Sequence, residues 1–126
     1  MARAFRILMV DDEPVMRELV SAMLEGGGVE VRTATDGPAA LSAARTGKPD
    51  LILLDIVLPG GLDGVAVCRM LRADPALRGV PIHMLTSRAS AADRSAAIRA
   101  GADGYIEKPF KGQALQDLVA GLRRKV

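Results

Sequence analysis

The stretch ILMVDDEPVMREL, residues 7–19, sets Asp11, Asp12 and Glu13 directly behind an apolar run. Another acid, Asp55, ends DLILLD; Thr86 ends VPIHMLT; Lys108 follows GYIE. Carboxylates gathered without a cation repel one another and raise each other's pKa. A hard divalent cation removes that conflict. Mg²⁺ takes oxygen ligands, keeps several waters and commonly uses one or two carboxylates plus phosphate oxygens. Cysteine and histidine are missing from this set, which argues against zinc. An ammonium and a hydroxyl beside the cation suit the spread charge of a transferring phosphoryl group. A carboxylate is the natural nucleophile in such a pocket and would form an acyl phosphate.

That chemistry needs a fold that collapses tens of residues of separation to one place. Short apolar runs alternate with helical patterns along the chain. FRILMV (5–10) reads as a strand, and Pro14 opens a helix where its missing N–H costs nothing. Met16, Leu19, Val20, Met23 and Leu24 mark one helix face, and Gly26–Gly28 end it. VEVRTA (29–34) is a second strand; Asp36 caps a helix running through Leu41 to about Thr46, with Gly47 as its stop. DLILLD (50–55) is apolar without alternation, as in a strand covered on both faces. A helix starts near Asp63, VPIHMLT (80–86) is the fourth strand, and Ser90 caps an Ala-rich helix ending at Gly101. GYIE (104–107) and a last helix bearing Leu115, Leu118, Val119 and Leu122 close the series.

Repeated βα units force a parallel sheet with right-handed crossovers and helices on both faces. The expected class is α/β, a doubly wound (βα)5 sandwich in one domain, 1–126. In such sheets ligands bind outside the carboxyl ends of the strands. Asp11, Asp12, Asp55, Thr86 and Lys108 all stand at those ends, so the acid triplet closes a strand where a cation can sit.

Composition sets the outer bounds. A chain of 126 residues buries enough surface to need no disulfide or metal staple. Its single cysteine, Cys68, excludes an intrachain disulfide and a Cys-based metal site and reads as a small apolar residue. The net charge of +2 carries no base-and-aromatic cluster for nucleic acid, and Arg123, Arg124 and Lys125 read as bases complementing a helix C-terminus. No signal peptide or transmembrane run stands out, so a cytoplasmic location is expected, with no membrane contact. His83, between Ile82 and Met84, reads as a packed, hydrogen-bonded histidine, and Glu13 as a capping or solvated acid.

VDDE (10–13), LLDIVLP (53–59), LTS (85–87) and YIEKPF (105–110) together resemble the receiver domain of two-component response regulators, of the chemotaxis single-domain type. These four matches stand in register, and the resemblance spans about Arg6 to Arg123. The resemblance implies a flavodoxin-like sheet of order 2-1-3-4-5, an order the general rule for such sheets itself illustrates with a receiver. It implies that Asp55 is the phosphoacceptor and that Asp11, Asp12, Asp55 and the backbone carbonyl of Val57 serve Mg²⁺, with Mn²⁺ as the alternative ion. Lys108 and Thr86 would contact the phosphoryl group, Tyr105 would turn inward as Thr86 moves, and the Lys108–Pro109 bond would be cis. The donor would be a sensor histidine kinase or phosphotransfer protein. The output would be a protein target, or an output domain beyond these residues, reached through the fourth helix, fifth strand and fifth helix. The chain would be a monomer with phosphorylation-dependent dimerisation left open, and a switch rather than an enzyme acting on a metabolite.

The match has departures. The loop from Asp55 to Asp63 is one residue longer than the family often has, through Gly60–Gly61. Val57 and Arg88 stand where, by the resemblance, the family tunes loss of the phosphoryl group to water, and Lys111 is a poor helix cap. An aspartyl-phosphate phosphatase would need an acid at Val57. A flavodoxin or P-loop protein would need a Gly- or hydroxyl-rich phosphate loop where this chain has acids.

Overall fold

The computed structural model describes residues 3–87 and 90–124. Arg88 and Lys125 therefore lie outside the described residues. Strands β1 (Phe5–Val10), β2 (Val29–Ala34), β3 (Leu51–Asp55), β4 (Ile82–Thr86) and β5 (Gly104–Glu107) alternate with helices α1 (Pro14–Leu24), α2 (Gly37–Gly47), α3 (Gly64–Ala73), α4 (Ala91–Arg99) and α5 (Gly112–Arg123). The strands form one sheet of order β2-β1-β3-β4-β5, and every pairing is parallel.

The unbroken apolar strands follow from burial on both faces, because successive side chains point to opposite sides. Leu8, Val10, Ile52, Leu54, Ile82 and Met84 enter one core with Ala40, Leu41 and Ala44 of α2 and Val67, Cys68 and Leu71 of α3. Ile7, Met9, Leu51, Leu53 and Leu85 enter the other with Val20 and Leu24 of α1 and Leu115 and Val119 of α5. Each fully buried leucine or isoleucine stabilises the fold by roughly 1.5–3 kcal/mol. On α1 the expected apolar stripe is narrower than its spacing suggests, because Leu19 is exposed beside Val15 one turn earlier. Helix α4 contributes least, burying only Ala97 of its own residues.

Side-chain caps start three helices: Asp36 accepts from the Ala39 N–H, Asp63 from that of Ala66 and Ser90 from that of Asp93. Lys111 precedes α5 without a side-chain cap bond, as its chemistry dictates. The end of α2 differs from expectation. Gly47 remains helical and Lys48 takes the left-handed conformation, φ 46°. At the amino edge of the sheet Arg72 ties three segments together. It donates to the carbonyls of Gly101 (2.8 Å), Arg78 (3.0 Å) and Val80 (2.6 Å) and to Asp103 Oδ2 (2.8 Å). Cys68 is buried and donates toward the Ala100 carbonyl at 3.6 Å, and burial pushes its thiol pKa up.

Candidate functional site

The register brings the acids together. Val10 pairs with Leu54, so the residues that follow, Asp11 and Asp55, emerge side by side at the carboxyl edge. Asp55 pairs with Leu85, placing Thr86 next to it, and Thr86 pairs with Glu107. The Lys108 N–H continues the ladder by donating to the Thr86 carbonyl at 2.8 Å. Its ammonium reaches back across the edge, donating to Asp11 Oδ2 at 2.7 Å and to Asp55 Oδ2 at 2.9 Å.

Carboxylate oxygens of Asp11, Asp12 and Asp55 lie within 4.8 Å of one another, Asp11 and Asp55 buried and Asp12 exposed. That is an oxygen-only donor set open to solvent on one side, which fits a hard divalent cation. Glu13 stands apart: it is exposed, makes no side-chain cap bond and approaches Lys108 only to 3.9 Å. It is a solvated acid at the rim.

The electrostatics follow from burial. Desolvation raises the Asp55 pKa above its ordinary value, and the nearby Asp11 charge adds to this; the Lys108 and Val57 hydrogen bonds only partly oppose it. Burial disfavours the Lys108 charge, but its hydrogen bonds to Asp11 and Asp55 outweigh that, and its pKa stands above the usual lysine value. The site thus holds its own internal cation against two buried acids.

Two local devices fix Asp55. The Val57 N–H donates to Asp55 Oδ1 at 3.1 Å, while the Val57 side chain is exposed. Gly64 lets α3 begin directly beneath the acceptor: its N–H donates to the Ile56 carbonyl at 2.8 Å. A Cβ on Gly64 would sit 2.0 Å from the Asp55 carbonyl oxygen, so no other residue fits. Nothing in the sequence marks this glycine's contact with the acceptor strand.

Thr86 is buried at the site. Tyr105 points outward from β5 with the Arg94 guanidinium 4.8 Å from its ring centroid, and Arg94 also pairs with Glu107. The Lys108–Pro109 bond is cis, as the family resemblance implied. His83 lies outside the cluster, half-buried, with its imidazole 3.0 Å from where a Cβ on Gly104 would stand. Among the described residues no helix is long and apolar enough to cross a membrane.

Known proteins match this arrangement. The family model of the response regulator receiver domain matches residues 7–120. The chain is 45% identical over 121 residues to the DNA-binding response regulator MtrA of Mycolicibacterium smegmatis, covering 96% of this chain and 50% of that protein. It is 39% identical over 125 residues to the transcriptional regulatory protein CseB of Streptomyces coelicolor, covering 99% of this chain and 52% of that one. The chain therefore spans about half the length of these curated relatives. Among solved structures, the chemotaxis protein CheY4 of Vibrio cholerae superposes with a TM-score of 0.87 at 32% identity, covering 96% of this chain and 99% of that one. The receiver domain of NtrX from Brucella abortus gives 0.84 at 36% identity, covering 95% and 99%.

Proposed function

The chain belongs to the response-regulator receiver family, and from that premise we propose that it is a phosphorylation switch whose acceptor is Asp55. One observation carries the reading: the Lys108 ammonium bonds both Asp11 and Asp55 beside the Asp12 carboxylate, at the edge where phosphoryl oxygens would arrive. Mg²⁺, with Mn²⁺ able to replace it, would be held by Asp11, Asp12, Asp55 and the Val57 carbonyl. Bound there, it would neutralise charge on the phosphoryl oxygens.

The chain's own groups do the rest. An Asp55 carboxylate oxygen attacks the donor's phosphorus. For a phosphohistidine donor the P–N bond breaks, the imidazole leaves with its electron pair, and an acyl phosphate remains on Asp55. Lys108 follows the new phosphoryl oxygens, and the buried Thr86 hydroxyl turns to donate to them. Movement of Thr86 opens space for Tyr105 to swing inward. The face of α4, β5 and α5 then changes for a downstream protein or an output domain. Shifting such an equilibrium from mostly off to mostly on takes roughly 5 kcal/mol of differential interaction, within reach of several charge-assisted hydrogen bonds.

The donor is a sensor histidine kinase or phosphotransfer protein in the cytoplasm. The chain turns over no metabolite: Val57 supplies no general acid for a phosphatase cycle. Intact mass after incubation with Mg²⁺ and acetyl phosphate tests this. The native chain should gain one phosphoryl group, only with the metal, and Asp55→Asn should gain none. A folded, Mg²⁺-binding native chain that stays unmodified by several donors would sink the reading.

A further inference from the structure

We propose that Arg17 is a positioning residue for the cation site, fixing the Asp11–Asp12 peptide through its main-chain carbonyl. The inference rests on the divalent-cation reading above. The Arg17 guanidinium donates to the Asp11 carbonyl at 2.9 Å. Every other polar group of Asp11 is already engaged. Its N–H donates to the Ala34 carbonyl at 3.1 Å, its Oδ1 accepts the Glu13 N–H at 2.9 Å and its Oδ2 accepts Lys108 at 2.7 Å. The carbonyl is the last free handle on this residue, and it belongs to the peptide that leads into Asp12. Asp12 is exposed, so packing does little to orient its carboxylate, and the peptide before it sets the direction in which its side chain leaves the backbone.

The placement of Arg17 is otherwise unfavourable. It sits one turn into α1, near the end where the helix dipole prefers an acid. Its positive charge beside a cation site repels the ion to be bound. A half-buried base kept there against both effects points to its hydrogen bond as its purpose. Groups that orient metal ligands typically cost 10–100-fold in metal affinity when removed.

The two roles of the guanidinium predict opposite signs, which makes the test sharp. Arg17→Met keeps the apolar stem and removes charge and donors. Electrostatics alone would tighten Mg²⁺ binding; positioning predicts about tenfold weaker binding. Mg²⁺ binding is measured by calorimetry on the full chain, with the metal-free melting temperature as a check of folding. Arg17→Lys, which keeps charge and a donor, should recover part of the loss. The half-saturating Mg²⁺ for phosphorylation by acetyl phosphate should rise in Arg17→Met while the rate at saturating Mg²⁺ holds. If Arg17→Met fails to fold, Arg17→Gln is read the same way. Mg²⁺ affinity equal to or tighter than native in the neutral variant overturns the proposal. A native chain that binds no Mg²⁺ overturns it too, and shows by the native result that the cation reading itself has failed.

Discussion

Replacing Arg94 by alanine should make the site easier to activate. In the structure the Arg94 guanidinium lies over the outward Tyr105 ring and pairs with Glu107. A cation over an exposed ring is worth roughly 0.5–1 kcal/mol. An exposed ion pair adds between about 0 and 1 kcal/mol. Arg94 Nε is buried with no hydrogen-bond acceptor among the described residues, which holds the sum near the low end, about 1 kcal/mol. If that energy favours the outward ring, losing it favours the inward one by about fivefold. Linkage is reciprocal, so a ligand that binds the inward state gains the same factor. The assay is a titration with beryllofluoride and Mg²⁺, a non-covalent mimic of the aspartyl phosphate. Tyr105 is the only tyrosine and the chain has no tryptophan, so tyrosine emission reports this one ring. Arg94→Ala should half-saturate at about one fifth of the native concentration, and Arg94→Lys in between. An unchanged or higher half-saturation would refute the idea that Arg94 holds the ring outward.

Other perturbations test the frame around the site. Gly64→Ala would press a methyl 2.0 Å from the Asp55 carbonyl oxygen, against backbone that cannot yield. It should cost about 1–3 kcal/mol or more, a melting loss of roughly 4–12 °C, and slow phosphorylation; native melting and rate would contradict the packing argument. Arg72→Met removes a multiply bonded guanidinium at the opposite edge. Unfolding free energy should fall by roughly 2–4 kcal/mol, seen as a lower urea midpoint with unchanged slope. The phosphorylation rate of the folded protein should stay native, and a loss confined to that rate would count against a purely structural role. Burial lowers the His83 pKa from its ordinary 6.5, with the Asp103 charge partly opposing. The unfolded chain therefore takes up this proton first, and His83 costs stability as pH falls below 6.5. The native melting temperature should drop more steeply between about pH 7.5 and 5.5 than that of His83→Gln; parallel curves would show the imidazole is not desolvated.

The sequence carried the sheet because its signals are local. Apolar runs, Asp36 and Ser90 as caps, and Pro14 and Asp63 at helix starts each act within a few residues. The site was legible for a related reason: strand ends are fixed by hydrophobic pattern, and a parallel sheet puts all of them on one edge. What escaped were long side chains. Arg72 reaches across a separation of 31 residues to Asp103, and nothing in its neighbours specifies that target. Arg94 and Tyr105 meet because α4 lies over β5, a juxtaposition without a periodic signature. Lys48 shows the same limit at short range, since glycine at 47 looked like the natural left-handed residue and the turn fell one residue later.

The meagre anchoring of α4 has a further consequence. Its neighbour α3 buries Val67, Cys68 and Leu71, whereas α4 buries only Ala97. A helix held by so little apolar surface opens in local unfolding events far below the free energy of global unfolding. Its nine residues should trade amide protons for deuterium early, while β1 and β3 stay protected until the whole chain unravels. The output side of the molecule can therefore be remade without disturbing the strands that hold the acids in place.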